Sequence, residues 1–182
     1  QELAHYNRVA ASEARAIESS EAFKVLAPAV SARKQIASTF PRPQSIWLDA
    51  PYDCLAQEDA YTLFGNLSGK TTLQLGGKGI HAVKFLLAGA QESWLLTPMV
   101  GEALCAIALA RAAGVEAGLR PVVAVGEELP FADKTLDVIF SGGCVHHTDT
   151  AALFPECARV LRVGGKFGAA DPWKAPVYTM GT

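Results

Sequence analysis

The sequence lacks an apolar run long enough to cross a membrane. Its most apolar stretch, residues 83–90, is short and is interrupted by Lys84, whereas a spanning helix needs about 20 apolar residues. No basic segment followed by an apolar one opens the chain, so we expect no secretory leader. These absences favour a cytoplasmic location and no membrane partner.

An excess of basic charge is also missing. The 182 residues carry 16 Lys and Arg against 18 Asp and Glu, a net charge of −2. Binding to a phosphate backbone or an anionic membrane surface needs a positive field that this balance does not supply. We therefore expect no nucleic-acid partner.

Cysteine pairs at metal-ligand spacing are absent too. The four cysteines are far apart in the sequence: Cys54, Cys105, Cys144 and Cys157. Neither a C-x-x-C pair nor a Cys/His cluster occurs, so we expect no metal site and a reduced, intracellular protein. Half of the residues are apolar, which is enough for a globular core without disulfide bonds or structural metals.

The chain divides into two parts that differ in composition and in hydrophobic pattern. Residues 1–66 are rich in Ala, Glu and Ser and contain several prolines, a pattern that predicts helices over residues 2–17, 21–37 and 53–64. We expect this part to form a helical lid. Residues 67–182 alternate short apolar runs, glycine turns and helices, which predicts an α/β core with a parallel sheet covered on both faces.

Within the second part, five strands are predicted over residues 71–75, 93–97, 121–125, 136–141 and 166–171. Helices are predicted over residues 80–88 and 100–113, and a third helix is expected to carry Pro155 in its first turn. In the helix over 100–113, one face is expected to point inward, namely Val100, Leu104, Ile107 and Ala108.

A glycine turn follows the first predicted strand. Ligands of open parallel sheets bind beyond the carboxyl ends of the strands, and Gly76, Gly77 and Gly79 lie there. Glycines let a ligand approach the backbone, and the following helix offers free N–H groups. The pattern is neither G-x-x-x-x-G-K-S/T nor G-x-G-x-x-G, so a triphosphate cradle is disfavoured; a plain tight turn is the alternative.

Several segments occur in an order that is specific in combination. They are LQLGGKG at 73–79, GEELPFAD at 126–133, LDVIFS at 136–141, VHH at 145–147, ARVLR at 158–162, GGKF at 164–167 and DPW at 171–173. Together they resemble the class I S-adenosylmethionine-dependent methyltransferases, in the small-molecule branch that includes the ubiquinone and menaquinone methyltransferases. The resemblance covers residues 70–173 and implies a Rossmann-like, doubly wound, mostly parallel sheet of order 3-2-1-4-5.

The resemblance also implies which residues would bind S-adenosylmethionine. They are Gln74, Gly76, Gly77, Gly79, Thr97, Gly126, Glu127, Ser141 and Gly142. The three loop glycines would approach its methionine end and Thr97 its ribose. Gly126 and Glu127 would border the adenine, and the last two residues would close the pocket.

Three acids that such proteins carry are missing from this cofactor motif. Gln74, Thr97 and Val125 stand in their places, and each lost charge-assisted hydrogen bond is worth about 1.5–3 kcal/mol before desolvation. Gln74 and Thr97 still accept neutral hydrogen bonds, and Glu102 or Glu127 are candidates to supply a carboxylate instead. The departures leave a rival hypothesis open, in which the cofactor site has decayed and the fold serves as a scaffold, partner subunit or ligand-binding module.

Catalytic candidates are His146 and His147 after the fourth strand. A neutral imidazole there would deprotonate a hydroxyl acceptor; the alternative is that one histidine packs in the loop and the other is solvated. Asp171 would touch the acceptor or cap a turn before Pro172. Three aromatic residues of the first part would line an acceptor pocket or belong to the core, namely Tyr6, Trp47 and Tyr52.

The function predicted from the sequence is methyl transfer from S-adenosylmethionine to a small-molecule acceptor, by O- or C-methylation. The family resembled adds two more strands after the fifth, and this chain has no candidates for them, so its fifth strand would be an exposed apolar edge. We therefore expect a C-terminally incomplete core, or an edge that is covered by a second copy in a homodimer.

Overall fold

The structure is a computed structural model that describes residues 2–18 and 62–171. Its helices are α1 (Glu2–Glu18), α2 (Ile80–Leu87), α3 (Val100–Ala112) and α4 (Thr150–Val160), and its strands are β1 (Thr71–Leu75), β2 (Glu92–Thr97), β3 (Leu119–Val123), β4 (Leu136–Gly142) and β5 (Leu161–Ala170). Short 3-10 turns cover Glu116–Gly118 and Val145–His147. The helices predicted over 21–37 and over most of 53–64, together with Trp47, Tyr52 and Cys54, lie outside the described residues.

The described strands form one parallel sheet in the order β3-β2-β1-β4-β5, which confirms the predicted fold class. β1 lies in the middle, with Thr72 opposite Ser93 of β2 on one side and opposite Val138 of β4 on the other. The direction of winding reverses between β1 and β4. The carboxyl ends of these two strands therefore flank the crevice where open α/β sheets bind ligands.

Both faces of the sheet are covered by helices. Alternation along β1 sends Leu73 and Leu75 into a core with Leu153 of α4, while the opposite face packs Phe140 and Leu95 against α2 and α3. β1 and β4 are buried on both faces because helices lie over each. The sheet is therefore doubly wound, as expected.

The predicted inward face of α3 is wrong for Val100 and Leu104, which are about half exposed, and right for Ala108, which is buried. The small residues Gly101 and Ala106, outside the predicted face, are buried as well. This helix is apolar on nearly every side, so periodicity does not select a face. It lies between the sheet and α1, and α1 contributes Ala10, Ala14 and Ile17 to the shared core.

Three other local predictions need correction. α4 begins at Thr150, where Asp149 accepts a hydrogen bond from the Ala151 N–H at 3.0 Å, so Pro155 lies inside the helix and not in its first turn. β3 covers Leu119–Val123, two residues earlier than predicted. β5 begins at Leu161 because a bulge lies between the pairs Leu136–Leu161 and Val138–Lys166.

Candidate functional site

The glycine turn after β1 lies at the carboxyl edge of the sheet, beside the ends of β2 and β4. Gly76, Gly77 and Gly79 have φ values of 68°, 75° and 84°, a region that favours glycine. A Cβ at Gly79 would overlap Ala106 of α3, and one at Gly76 would overlap Cys144, whose own Cβ it would meet at 2.8 Å. The turn therefore approaches both the helix layer and the loop after β4 more closely than any other residue type allows.

The first turn of α2 opens directly from this loop. Its N-cap is Gly79, which has no side chain to accept hydrogen bonds from the helix amides. Free N–H groups at a helix N-terminus bind anionic and polar ligand groups. The turn thus offers amides together with close backbone access.

Gln74 shapes the glycine turn from beneath. Its side chain is 1% exposed; the Oε1 accepts from the Ala82 N–H at 2.8 Å and the Nε2 donates to the Gly76 carbonyl at 2.7 Å. One amide thus holds both the loop and the first turn of α2. The residue predicted as a cofactor contact has a supporting position in the described structure.

The end of β2 carries a hydroxyl paired with a buried carboxylate. The Thr97 Oγ1 donates to the Glu102 Oε2 at 2.5 Å and accepts from the Met99 N–H at 3.1 Å. Thr97 is fully buried and Glu102 is 7% exposed. Glu102 stands in the first turn of α3, where the helix dipole favours a negative charge.

A further charged pair crosses from α1 to the glycine loop. The Lys78 Nζ lies 2.6 Å from the Glu13 Oε2, so α1 lies over the turn. Burial, together with the carboxylates of Glu13 and Glu102, raises the pKa of Cys105 to about 12, while Lys78 lowers it. Cys105 is therefore a protonated thiol beneath these charges. Sequence reasoning missed Glu13, which is 65 residues from its partner.

The predicted adenine-side residues lie on the loop after β3. The Glu127 Oε1 accepts from the Asp149 N–H at 3.0 Å, which ties this loop to the start of α4. Gly126 packs against Leu153, and a Cβ there would lie 3.0 Å from its Cδ1. Val125, which stands where the resembled family carries an acid, is half exposed.

The loop after β4 brings the remaining candidates to the same edge. Ser141 is fully buried, and its Oγ accepts from the Cys144 N–H at 3.3 Å, which bends the chain just after Gly142. The 3-10 turn Val145–His147 follows. Cys144 lies against Gly76 of the glycine turn. His146 follows Cys144 by two positions in the sequence, so the histidine turn begins close to the glycine turn.

His146 forms a pair with the carboxylate at the end of β5. Its Nδ1 lies 2.8 Å from the Asp171 Oδ1, and its backbone N–H donates to the same oxygen at 3.4 Å. The Asp171 side chain is 3% exposed and that of His146 is 34% exposed. The ring of His147 lies 3.9 Å from that of His146, centroid to centroid.

Tyr6, a third candidate for an acceptor pocket, is half exposed and contacts the ring of His5. Residues 2–18 and 62–171 contain no group of three or more His, Cys, Asp or Glu side chains placed to hold a metal ion. No helix in this part of the chain combines the length and apolarity needed to cross a bilayer.

Part of the chain matches a known protein family. A protein family described as Methyltransferase domain matches residues 99–169. That segment begins after β2 and ends in β5, so it includes the histidine turn and not the glycine turn. Comparison with curated protein sequences gave no match.

Solved structures share the fold. Geranyl diphosphate C-methyltransferase from Streptomyces coelicolor is similar over 75% of this chain and 48% of its own, with 19% identity and a TM-score of 0.60. The YcgJ protein of Bacillus subtilis is similar over 64% and 50%, with 28% identity and a TM-score of 0.59. The chain spans about half the length of these proteins.

One neighbour of the same fold has another activity. SpnF, a 4+2 cyclase, is similar over 59% of this chain and 42% of its own, with 21% identity and a TM-score of 0.54. The strand order and these neighbours show that the chain shares the fold of class I methyltransferases, as the sequence resemblance implied, and the family model matches part of that fold. Because one fold supports several chemistries, its activity must be argued from the site.

Proposed function

We propose that this chain carries S-adenosylmethionine-dependent methyl transfer to a small-molecule acceptor. The observation that carries the proposal is the glycine turn between β1 and the N-terminus of α2, at the point where the sheet reverses its winding. S-adenosylmethionine, when bound, supplies a methyl group on a positively charged sulfur. The chain's part is to bind it, orient the acceptor and exclude water.

The glycine turn fits this cofactor even without an acid in β1. Gln74 satisfies the Ala82 N–H and the Gly76 carbonyl with neutral hydrogen bonds. The loop therefore keeps its positive-φ shape without a carboxylate, and its backbone stays available to the methionine end. This supports the enzyme over the decayed-site hypothesis.

The end of β2 fits the ribose in a different way from the family pattern. A carboxylate after the second strand binds ribose hydroxyls in dinucleotide-type folds, and here Thr97 occupies that place. The Glu102 carboxylate, held by Thr97 at 2.5 Å, restores a negative charge one helical turn later. A carboxylate oxygen has more than one acceptor position, and the ligand hydroxyl proposed for Glu102 is that of the ribose.

On the remaining sides, Gly126 and Glu127 border the adenine, and Ser141 and Gly142 close the pocket. His146 is the proposed base on the acceptor side, with the ring of His147 lying against it. The lid over residues 1–66 stays a prediction from the sequence; within it, α1 reaches the glycine loop through Glu13 and Lys78. A cytoplasmic location and pairing with a second copy stay predictions from the sequence.

Calorimetric titration with S-adenosylhomocysteine tests the proposal. We expect the wild-type chain to bind it and Gly77→Asp to lose binding, because the new side chain would enter the turn 3.3 Å from the Gln74 Nε2 and add a charge there. Gly114→Asp is the matched control: its φ of 72° imposes similar backbone strain, with nothing within 4 Å. A folded wild-type chain that binds neither this ligand nor S-adenosylmethionine at millimolar concentration favours the scaffold alternative.

A further inference from the structure

The pair formed by His146 and Asp171 joins two loops at the carboxyl edge of the sheet. β4 and β5 are parallel neighbours, with Gly142 opposite Ala170, so the residues that follow them emerge side by side. The Asp171 Oδ1 meets both the ring and the backbone N–H of His146, at 2.8 Å and 3.4 Å. Two bonds to one oxygen fix the ring relative to the sheet.

Asp171 is buried in a manner that is costly for a carboxylate without partners. Its side chain is 3% exposed, and its Oδ2 is buried without a hydrogen-bond partner among the described residues. A buried charge destabilises a fold unless it is paired. An exposed turn-capping aspartate would not require this burial, so the position favours a role through His146.

The pairing determines which nitrogen of His146 is basic. A carboxylate within hydrogen-bond distance of Nδ1 favours the tautomer with the proton on Nδ1, which leaves the lone pair on Nε2. His146 keeps about a third of its side chain exposed, so the ring remains accessible.

We propose that Asp171 positions His146 as the general base of methyl transfer, and that the acceptor therefore carries an ionisable hydroxyl, such as a phenol or an enol. This inference rests on the proposed function. The His146 Nε2 takes the proton of the hydroxyl while the acceptor oxygen forms its bond to the methyl carbon. A bound S-adenosylmethionine would supply this methyl group and keep the electron pair of the broken carbon–sulfur bond on its sulfur, and solvent would later remove the proton from Nε2.

His147 does not share this arrangement. Its backbone N–H donates to the Cys144 carbonyl, and its ring lies against that of His146, tilted by 41°. We therefore assign it to support the ring of His146 from the side. Of the two histidines, His146 is thus the base, and Asp171 is its positioning residue.

Nitrogen NMR of the histidine-labelled wild-type chain, at a pH where the rings are neutral, tests the positioning. We expect His146 to hold its proton on Nδ1, and Asp171→Asn to reduce that form, because the amide carries no charge and can donate to Nδ1. Asp133→Asn is the control, since Asp133 is exposed and pairs with Arg159. The proposal would be overturned by a proton on Nε2 in the wild type, or by tautomer populations that are the same in Asp171→Asn as in the wild type.

Turnover with labelled S-adenosylmethionine and a series of small phenols tests the base. We expect the wild type to methylate phenols, and His146→Gln and Asp171→Asn to lower kcat by about a hundredfold or more with little change in KM. Calorimetry with S-adenosylhomocysteine should give unchanged affinity for both variants.

The possible results separate the two proposals. An unchanged kcat in both variants would exclude His146 as the general base. Cofactor binding without methyl transfer to any phenol would overturn the assigned acceptor class. A wild type that binds no S-adenosylhomocysteine contradicts the proposed function, while the NMR result still decides whether Asp171 positions His146.

Discussion

Gly101 of α3 lies directly against the backbone of Asn7 in α1. A Cβ at Gly101 would overlap the Asn7 carbonyl oxygen and would lie 2.8 Å from its Oδ1. That Oδ1 also accepts a hydrogen bond from the Gly101 N–H, one of the amides that a helix N-terminus leaves without an internal partner. Asn7 therefore caps α3 from a helix 94 residues away in the sequence.

Gly101→Ala should destabilise the chain although alanine is the better helix former. In an isolated helix the change gains about 1 kcal/mol, but here the added methyl group pushes α1 away from α3, and overpacking costs about 1–3 kcal/mol. Urea unfolding of the two chains measures the difference. Leu104→Ala, on the half-exposed side of the same helix, is the control and should change stability little. A more stable Gly101→Ala chain would show that α1 does not pack so closely.

Gly79→Ala should cost more than Gly114→Ala. Both positions have positive φ, 84° and 72°, so both pay the left-handed strain of about 1–2 kcal/mol. Only at Gly79 does the new Cβ overlap a neighbour, the side chain of Ala106.

A thermodynamic cycle with Ala106→Gly separates this clash from the strain. We expect the double variant Gly79→Ala, Ala106→Gly to be more stable than the sum of the single effects, because neighbouring sites couple. Thermal unfolding measures all four chains. Additive effects would mean that the loop moves away from α3 without cost.

Local signals explain how much of the sheet the sequence predicts. β1 begins and ends where the pattern expects it, at Thr71 and Leu75, because a short β-branched and apolar run ends in glycines. Gly89 and Gly114 follow α2 and α3 with positive φ, as stop signals do. The strand order follows from the family resemblance, since the local pattern predicts a parallel sheet but not which strands are neighbours in it.

The candidate site is less predictable because its contacts join distant residues. The fact that Asp171 meets His146 depends on the parallel neighbours β4 and β5, and the two residues are 25 positions apart. The helical pattern of α1 predicts a helix but not that Glu13 reaches Lys78. Thr97 marks a missing acid in the sequence, yet only the turn of α3 brings Glu102 within 2.5 Å of it.

The role of Glu102 in cofactor binding gives a separate prediction. Under the proposed function, Glu102→Gln should weaken S-adenosylhomocysteine binding by about 10–100-fold, because the variant would lack the charge-assisted hydrogen bond proposed for a ribose hydroxyl. Thr97→Asp combined with Glu102→Gln returns a carboxylate to the end of β2 and should restore much of the affinity. Calorimetry measures each variant.

An analogue without the ribose hydroxyls distinguishes binding from folding. The dideoxy form of S-adenosylhomocysteine should bind wild type and Glu102→Gln with similar affinity, since it lacks the groups that Glu102 would hold. Glu116→Gln, exposed beyond the end of α3 and paired with Arg111, serves as the control. Equal weakening of both ligands by Glu102→Gln would assign Glu102 a structural role only.

Glu156 makes stability depend on acid pH. The Arg159 side chain donates to both of its oxygens at 2.7 and 2.8 Å, and the Leu129 N–H donates to it at 2.9 Å. These bonds, the one from Arg159 first, lower the pKa of Glu156 from 4.5 to about 2. Because the folded state holds the carboxylate more strongly than the unfolded state, its contribution is complete above pH 4.5 and is lost as the pH falls toward 2.

Glu156→Gln should therefore lower Tm at neutral pH and flatten its fall in acid. The wild type loses the contribution of Glu156 between pH 4.5 and about 2, whereas the variant has no charge to lose there. Circular dichroism melts at several pH values across this interval give both curves, which should converge at the acid end. Glu128→Gln, an exposed change next to Leu129, should leave the shape of the wild-type curve unchanged. Parallel curves for wild type and Glu156→Gln would show that Arg159 and Leu129 do not hold this carboxylate in solution.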